Sequence, residues 1–154
     1  MTVADDSKSH AGLSATRPAW DDRAVSPQRE IVNAPGAPAA VGPYSHAVRS
    51  GGLLFCSGQT PLDPETNALV EGTVADRTRR CLDNLTAVCE AAGATLGDAV
   101  RCAVYVTDLS VFAEVNAAYA EYFPGEPPAR TTIGVASLPL GADVEIDAIV
   151  AISG

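Results

Sequence analysis

The last strand-like segment of the sequence is the feature that most restricts how this chain can fold. Residues 143–152 alternate in polarity, which is typical of a β-strand. The apolar face carries Val144, Ile146, Ala148, Val150 and Ile152. The other face begins with two carboxylates, Glu145 and Asp147, and ends apolar, which predicts that it too is partly covered. Since two helices cannot cover both faces of the sheet, we expect a partner subunit on the second face.

Two helices are predicted. Thr73 can cap the first, with Asp76 in a capping-box-like position, and Gly93 suits its end. The second is predicted from Ser110 to Phe123, where Pro124 and Gly125 follow. We expect the second helix to turn these side chains inward: Val111, Phe112, Val115, Tyr119 and Tyr122.

The remaining patterns predict strands. The predicted strands are residues 31–33, 46–50, 53–57, 99–107, 131–136 and 143–152, with Gly51-Gly52 as a hairpin turn. In the strand over 99–107, one face is expected to carry Val100, Cys102, Val104 and Val106. The order of the elements indicates an α+β fold, a mixed sheet with both helices on one face.

The charge of the chain excludes several classes of function. The 154 residues have a net charge of −9 and a pI near 4.5, and residues 31–154 alone carry −8. Nucleic-acid binders normally cluster Lys and Arg, so we expect no nucleic-acid partner. The six cations of residues 31–154 are all arginines. The absence of lysine there excludes Schiff-base chemistry through a lysine and a phosphate-binding P-loop.

The cysteines, the histidines and the N-terminus narrow the prediction further. Four cysteines without CxxC spacing and two histidines give no grouped ligand set, so we expect no metal and no cofactor. Residues 1–30 are polar and aperiodic, which predicts a flexible extension before a single domain at 31–154. Without a long apolar run or an apolar signal segment, we expect no membrane span and a cytoplasmic location.

Arg130 is the candidate site residue that the pattern itself identifies. It is the only Lys or Arg from residue 102 onward, and it follows Pro127-Pro128 at the start of a predicted strand. A guanidinium on a rigid element can hold a carboxylate through two parallel hydrogen bonds. An equally good interpretation is a cross-strand ion pair between Arg130 and Glu145 on a solvated face.

Several segments resemble the RidA/YjgF family over residues 31–154. They are "GPYSHAV", "LLFCSGQTPLDPETNALV", "LDNLTAVCEAAGATLGDAVRCAVYVTDLSVFAEVNAAYAEYF" and "PPARTTIGVASLPLGADVEIDAIV". The resemblance implies a chorismate-mutase-like fold and a homotrimer with barrel-like packing of its sheets and ligand clefts between subunits. It also implies hydrolysis of reactive 2-imino acids, such as 2-iminobutanoate and 2-iminopropanoate, to 2-oxo acids and ammonia.

The resemblance also assigns roles to individual residues. It implies that Arg130 binds the substrate carboxylate and that Glu145 helps hold the attacking water. Tyr44 would line the cleft, while the turn at Ser57 and Gly58 would bring its backbone to the ligand. On residue type alone, Tyr44 is equally a packing aromatic and Gly58 a residue that a turn requires.

Two further positions complete the implied site. Asn116 matches an asparagine near the ligand, although a solvated helix residue is the simpler interpretation. Thr132 stands where well-studied relatives have a cysteine, whose backbone carbonyl is expected to contact the water. We expect Thr132 to keep that contact and the activity to survive with an altered substrate preference.

The sequence is also compatible with other functions. A non-catalytic protein that senses 2-oxo acids would need the same Arg130 fork. Ribonuclease activity or translation inhibition, also associated with the family, is opposed by the charge of −8 on residues 31–154. Holdase chaperoning by an exposed apolar surface leaves no signal in the sequence.

Overall fold

The computed structural model describes residues 28–153. Most of the predicted N-terminal extension therefore lies outside the described residues. The helices are α1 (Val74–Ala91) and α2 (Phe112–Ala120). The strands are β1 (Glu30–Val32), β2 (Ala47–Ser50), β3 (Leu53–Gln59), β4 (Ala99–Val106), β5 (Ala129–Gly134) and β6 (Val144–Ala151).

The six strands form one mixed sheet in the order β1-β2-β3-β6-β4-β5. Strands β4 and β5 pair in parallel, and every other pairing in the sheet is antiparallel. The predicted mixed sheet is confirmed. Because β4 is inserted between β5 and β6, the last two strands of the chain are not neighbours.

The core lies between the helices and one face of the sheet, as predicted. The alternation of β6 is confirmed, because Val144, Ile146, Ala148 and Val150 are all buried. In the register, Cys56 of β3 and Cys102 of β4 flank Ala148 on this face. Helix α1 packs Leu82, Leu85 and Val88, all fully buried, against these strands. All four cysteines are buried with free thiols.

The predicted turn and cap signals are also confirmed. Gly51 and Gly52 have φ of 58° and 77°, which suits a two-residue hairpin with both central residues in the left-handed region. At the start of α1, Thr73 Oγ1 accepts from the Asp76 N–H at 3.1 Å, and Asp76 Oδ2 accepts from the Thr73 N–H at 3.0 Å. Gly93, just beyond the helix, has a φ of 70°.

Two predicted core positions are wrong. Val100 is 46% exposed because the pairing of β4 with β6 shifts register between Ala99 and Arg101, which removes Val100 from the alternation. Phe112 is 42% exposed. The segment Leu109–Val111 is a 3-10 turn rather than the first turn of α2, so the helical periodicity begins later than predicted.

The face of the sheet without helices remains partly apolar and open in the single chain. Ile31, Phe55 and Ile133 project from this face and are each 44% exposed. Single exposed apolar residues are common, but several on one sheet face are typical of an interaction surface. In residues 28–153 no helix is long and apolar enough to cross a membrane.

The capping box gives a test of the fold. Thr73→Ala removes the side-chain acceptor at the start of α1, so the free energy of unfolding should fall by about 1 kcal/mol. Thr95→Ala is the matched control, because Thr95 precedes a 3-10 turn and makes no side-chain capping bond. Urea titration of the three proteins measures the effect. Equal stability of the Thr73 and Thr95 variants would contradict the capping role of Thr73.

Candidate functional site

Arg130 lies on β5, the edge strand of the sheet, and side chains of helix α2 hold its guanidinium in place. It is the second residue of β5 and pairs with Cys102 of β4, so its side chain projects toward the helices. Nη2 of Arg130 donates to Oδ1 of Asn116 at 2.7 Å. Its Cζ lies 4.7 Å from the centroid of the Tyr119 ring and 5.7 Å from that of Phe112. These contacts fix the plane of the guanidinium.

Arg130 differs from Arg77 and Arg79 in its electrostatic partners. Arg77 and Arg79 each make a two-point contact with a carboxylate, to Asp143 and Glu121, at 2.7–3.0 Å. Within residues 28–153 no carboxylate lies within 4.0 Å of Arg130. A guanidinium has five N–H donors, so Arg130 keeps donors for an anionic ligand.

A cleft of about 430 Å³ opens beside Arg130. Ligand sites commonly have volumes of about 300–1,000 Å³, so the cleft is large enough for a small metabolite. Its lining is mostly apolar, and Arg130 is its one charged residue. The lining consists of Asn116, Tyr119, Ala120, Phe123, Gly125, Pro127, Pro128 and Arg130.

Glu145 and Gly58 lie together elsewhere on the sheet. The pairing of β3 with β6 shifts register between Cys56 and Gln59, which places a bulge at Ser57-Gly58. A Cβ built on Gly58 would lie 3.0 Å from Cδ of Glu145 and closer still to its Oε1. The φ of Gly58 is not in the left-handed region, so glycine is needed here for close packing and not for a turn.

Ser57 precedes Gly58 in the bulge, and its hydroxyl connects β3 to the segment that carries Tyr44. Ser57 donates from its hydroxyl to the carbonyl of Ser45 at 2.6 Å, next to Tyr44 in the chain. The Tyr44 side chain is exposed, and its hydroxyl accepts from the Val41 N–H at 3.1 Å. Tyr44 therefore has one side free for a ligand or a neighbouring molecule.

The alternative interpretation, an ion pair between Arg130 and Glu145, is wrong for a single chain. Arg130 aligns through Cys102 with Ala148, whereas Glu145, three residues earlier on β6, aligns with Tyr105. An odd number of residues along a strand reverses the side-chain direction, so the two side chains leave opposite faces. Strand β4 also separates their backbones by about 10 Å. One chain cannot bring both groups to one small ligand.

Thr132 lies on the same face of β5 as Arg130, two residues away, and aligns with Val104. Its hydroxyl oxygen is buried and has no hydrogen-bond partner within residues 28–153. Buried polar groups are rarely left unpaired, which marks this position as one where another group is expected. Strand β5 is at the edge of the sheet, so part of its backbone is also free to bind.

Sequence reasoning missed part of the site. Tyr119 was predicted only as a core residue, yet its ring supports the guanidinium of Arg130 and lines the cleft. The Tyr119 hydroxyl is buried beside the Cys102 thiol but makes no hydrogen bond of normal geometry. Burial is the main cause that raises the pKa of this hydroxyl. The sequence carries one signal for this role of Tyr119: it lies three residues after Asn116, which puts both side chains on one helix face.

Glu145 is electrostatically unusual. Burial raises the pKa of its carboxyl above the usual value, and nearby Asp147 adds to the rise. The folded state therefore keeps this proton to a higher pH than the unfolded chain does. Glu145 thus stabilises the fold fully below its unfolded pKa of about 4.3, and that stability is lost as pH rises through the raised pKa.

Glu145→Gln tests this electrostatic environment. The stability of the variant relative to wild type should increase between pH 4 and pH 7, since the variant has no proton to lose. Urea titrations at a fixed protein concentration measure the difference at each pH. Glu90→Gln, on the exposed surface of α1, is the matched control for the loss of a carboxylate outside the sheet. A pH-independent difference for Glu145→Gln would contradict the raised pKa.

Comparison with known proteins places this geometry in a family. A family model described as endoribonuclease L-PSP matches residues 34–152. Protein DfrA of Myxococcus xanthus is 48% identical over 123 residues, which cover 79% of this chain and 94% of that protein. Reactive Intermediate Deaminase A, a chloroplastic protein of Arabidopsis thaliana, is 43% identical over 126 residues, 82% of this chain and 67% of that protein.

A solved structure agrees with these matches. The crystal structure of RidA from the Antarctic bacterium Psychrobacter sp. PAMC 21119 has a TM-score of 0.77 and 42% identity. The match covers 80% of this chain and 99% of that one. Sequence, family model and fold therefore agree that this chain belongs to the RidA/YjgF family.

Proposed function

We propose that this protein is a hydrolytic deaminase that converts reactive 2-imino acids to 2-oxo acids and ammonia. The observation that carries the proposal is the Arg130 guanidinium, oriented by Asn116 and Tyr119, beside a cleft and without a carboxylate partner among the described residues. Such a fork suits the carboxylate of an imino acid, including 2-iminobutanoate and 2-iminopropanoate. The name of the Arabidopsis thaliana relative supports the reaction class.

The active site of the proposed enzyme is built from two chains. Arg130, Asn116 and Thr132 lie on one side of the sheet, and Glu145 with Gly58 on the other. A second copy that presents its Glu145 group to the edge strand β5 would complete the site. The half-exposed apolar face around Phe55 supports assembly of the helix-free sheets, which we propose to be a homotrimer with sites between subunits.

The reaction needs little covalent help from the protein. The carbon of a C=N bond is electrophilic, above all when the nitrogen is protonated. Arg130 holds the carboxylate, and Glu145 with the backbone carbonyl of Thr132 places one water against that carbon. The gain comes from positioning and from charge complementarity in a partly enclosed site.

Glu145 moves the proton in this scheme. As the water oxygen bonds to the imine carbon, its proton passes to the carboxylate and the C=N pair moves to nitrogen, giving a carbinolamine. Glu145 then returns the proton to the amine, and the C–N bond breaks as the C=O bond of the 2-oxo acid forms. The Glu145 carboxylate accepts the hydroxyl proton released in this step and passes it to the departing ammonia, which leaves as ammonium. A raised pKa suits this exchange, because a carboxyl group whose pKa is closer to the working pH both accepts and donates a proton effectively.

A 2-oxo acid sensor without turnover is the second candidate, since the Arg130 fork would serve it equally well. The endoribonuclease description of the family model is opposed by charge: residues 31–154 carry −8 and no lysine. Turnover separates the two carboxylate-binding proposals. Affinity for 2-oxobutanoate without imine hydrolysis would favour the sensor.

Arg130→Ala should lower kcat/KM for imine hydrolysis by at least about 100-fold, because the variant cannot hold the carboxylate. The assay couples an amino-acid oxidase to semicarbazide, which traps imine that the enzyme has not hydrolysed. Arg80→Ala, on α1 near Asp83, is the matched control and should keep wild-type activity. The mass of the assembly should be unchanged in both variants. Wild-type rates for Arg130→Ala would refute the role of this residue.

A mixing experiment tests the two-chain site. Arg130→Ala and Glu145→Gln should each be inactive alone. Subunits of the two variants, unfolded together and refolded at equal amounts, should recover about a quarter of wild-type activity, because about a quarter of the sites then receive both intact groups. Refolding either variant alone is the control. A mixture that forms mixed oligomers but stays inactive would show that both groups come from one chain.

A further inference from the structure

We propose that the cleft beside Arg130 is a side-chain subsite that makes the enzyme prefer 2-imino acids with branched or aromatic apolar side chains. This inference rests on the proposed function and adds a substrate preference to it. The subsite is formed by Tyr119, Ala120, Phe123, Gly125, Pro127 and Pro128. None of these six side chains is charged.

The position of the cleft relative to Arg130 supports this role. Arg130 lines the cleft, and its guanidinium is fixed by Asn116 and Tyr119 from the same helix. A carboxylate held by that guanidinium is bonded directly to the imine carbon, which carries the side chain. The side chain of a bound imino acid therefore starts next to the cleft wall, within reach of Phe123 and the two prolines.

The volume of the cleft exceeds the needs of a small substrate. An enclosed apolar cavity of about 150 Å³ is enough to hold a benzene molecule. The cleft measures about 430 Å³, so the methyl group of 2-iminopropanoate would leave most of it to water. Each additional buried methylene is worth about tenfold or more in discrimination. The kcat/KM for a substrate with an isobutyl or benzyl side chain should be correspondingly higher.

The charge around the cleft excludes acidic side chains. Gly125, on its wall, is followed by the exposed Glu126, and Glu121 lies one residue beyond Ala120. The Glu121 carboxylate is already occupied by Arg79. Apart from Arg130, which the substrate carboxylate occupies, the lining offers no cation. A second carboxylate on the substrate would be desolvated without a partner.

Two small residues set the size of the subsite. Ala120, on α2, leaves room between Tyr119 and Phe123 where a larger residue would project into the cleft. Gly125 does not have a left-handed φ, and a Cβ at this position would meet nothing within 4 Å. Leucine at either position should therefore fill part of the cleft without straining the backbone.

The experiment compares kcat/KM for imines that an L-amino-acid oxidase produces from alanine, leucine and glutamate. Wild type should prefer the leucine-derived over the alanine-derived imine by at least about tenfold, with the glutamate-derived imine the poorest. Ala120→Leu and Gly125→Leu should each lower the leucine-derived value by about tenfold relative to the alanine-derived value. Ala91→Leu, on the exposed end of α1, is the matched control and should change neither.

Calorimetry of the wild-type protein provides a reading that needs no variant and no turnover. The stable 2-oxo acid derived from leucine should bind at least about tenfold more tightly than the one derived from alanine. Equal affinities, or equal kcat/KM values in wild type, would overturn the subsite while the deaminase proposal stands. No turnover of any imine would instead overturn the deaminase, and the ratio of affinities would still decide whether the cleft selects side chains.

Discussion

The pairing of β6 on both of its edges is the constraint on which the rest of the structure depends. Because β6 lies between β3 and β4, its four buried side chains, among them Ile146 and Ala148, form the floor on which the helices pack. The same alternation sends Glu145 to the opposite face, against Gly58 in the bulge of β3. One strand thus fixes both the hydrophobic core and the position of the candidate acid–base group.

The arginine side of the site depends on how α2 is fastened to α1. Arg79 holds Glu121 through two contacts of 2.9 Å, and the Tyr122 hydroxyl donates to Asp83 at 2.6 Å. The side chains of the ion pair between Arg79 and Glu121 are about half exposed, so this pair contributes little stability alone. Together they set the rotation of α2, which determines where Asn116 meets the guanidinium. Sites on packed helices and strands keep their geometry better than sites on loops.

Local signals in the sequence predicted local structure well. The hairpin at Gly51, the capping box at Thr73 and the alternation of β6 each depend on neighbouring residues alone. Strand order does not depend on neighbouring residues alone, because nothing within "EPPARTTIG" indicates that β4 lies between β5 and β6. The alternative interpretation of Arg130 and Glu145 as an ion pair fails for that reason. The contact of Tyr119 with Arg130 is likewise tertiary, and only the spacing from Asn116 pointed to it.

The chemistry of the cysteines explains why water, rather than a side chain, is the nucleophile in the proposed reaction. A thiol attacks as its thiolate, so a reactive cysteine needs a lowered pKa and access to the substrate. Access is missing for all four cysteines, which are buried within the core, and burial also raises the pKa of Cys81 and of Cys102. Thr132, whose hydroxyl ionises far less readily than a thiol, offers no alternative. Among the carboxyl groups of residues 28–153, Glu145 combines a raised pKa with partial exposure, which suits the activation of a bound water.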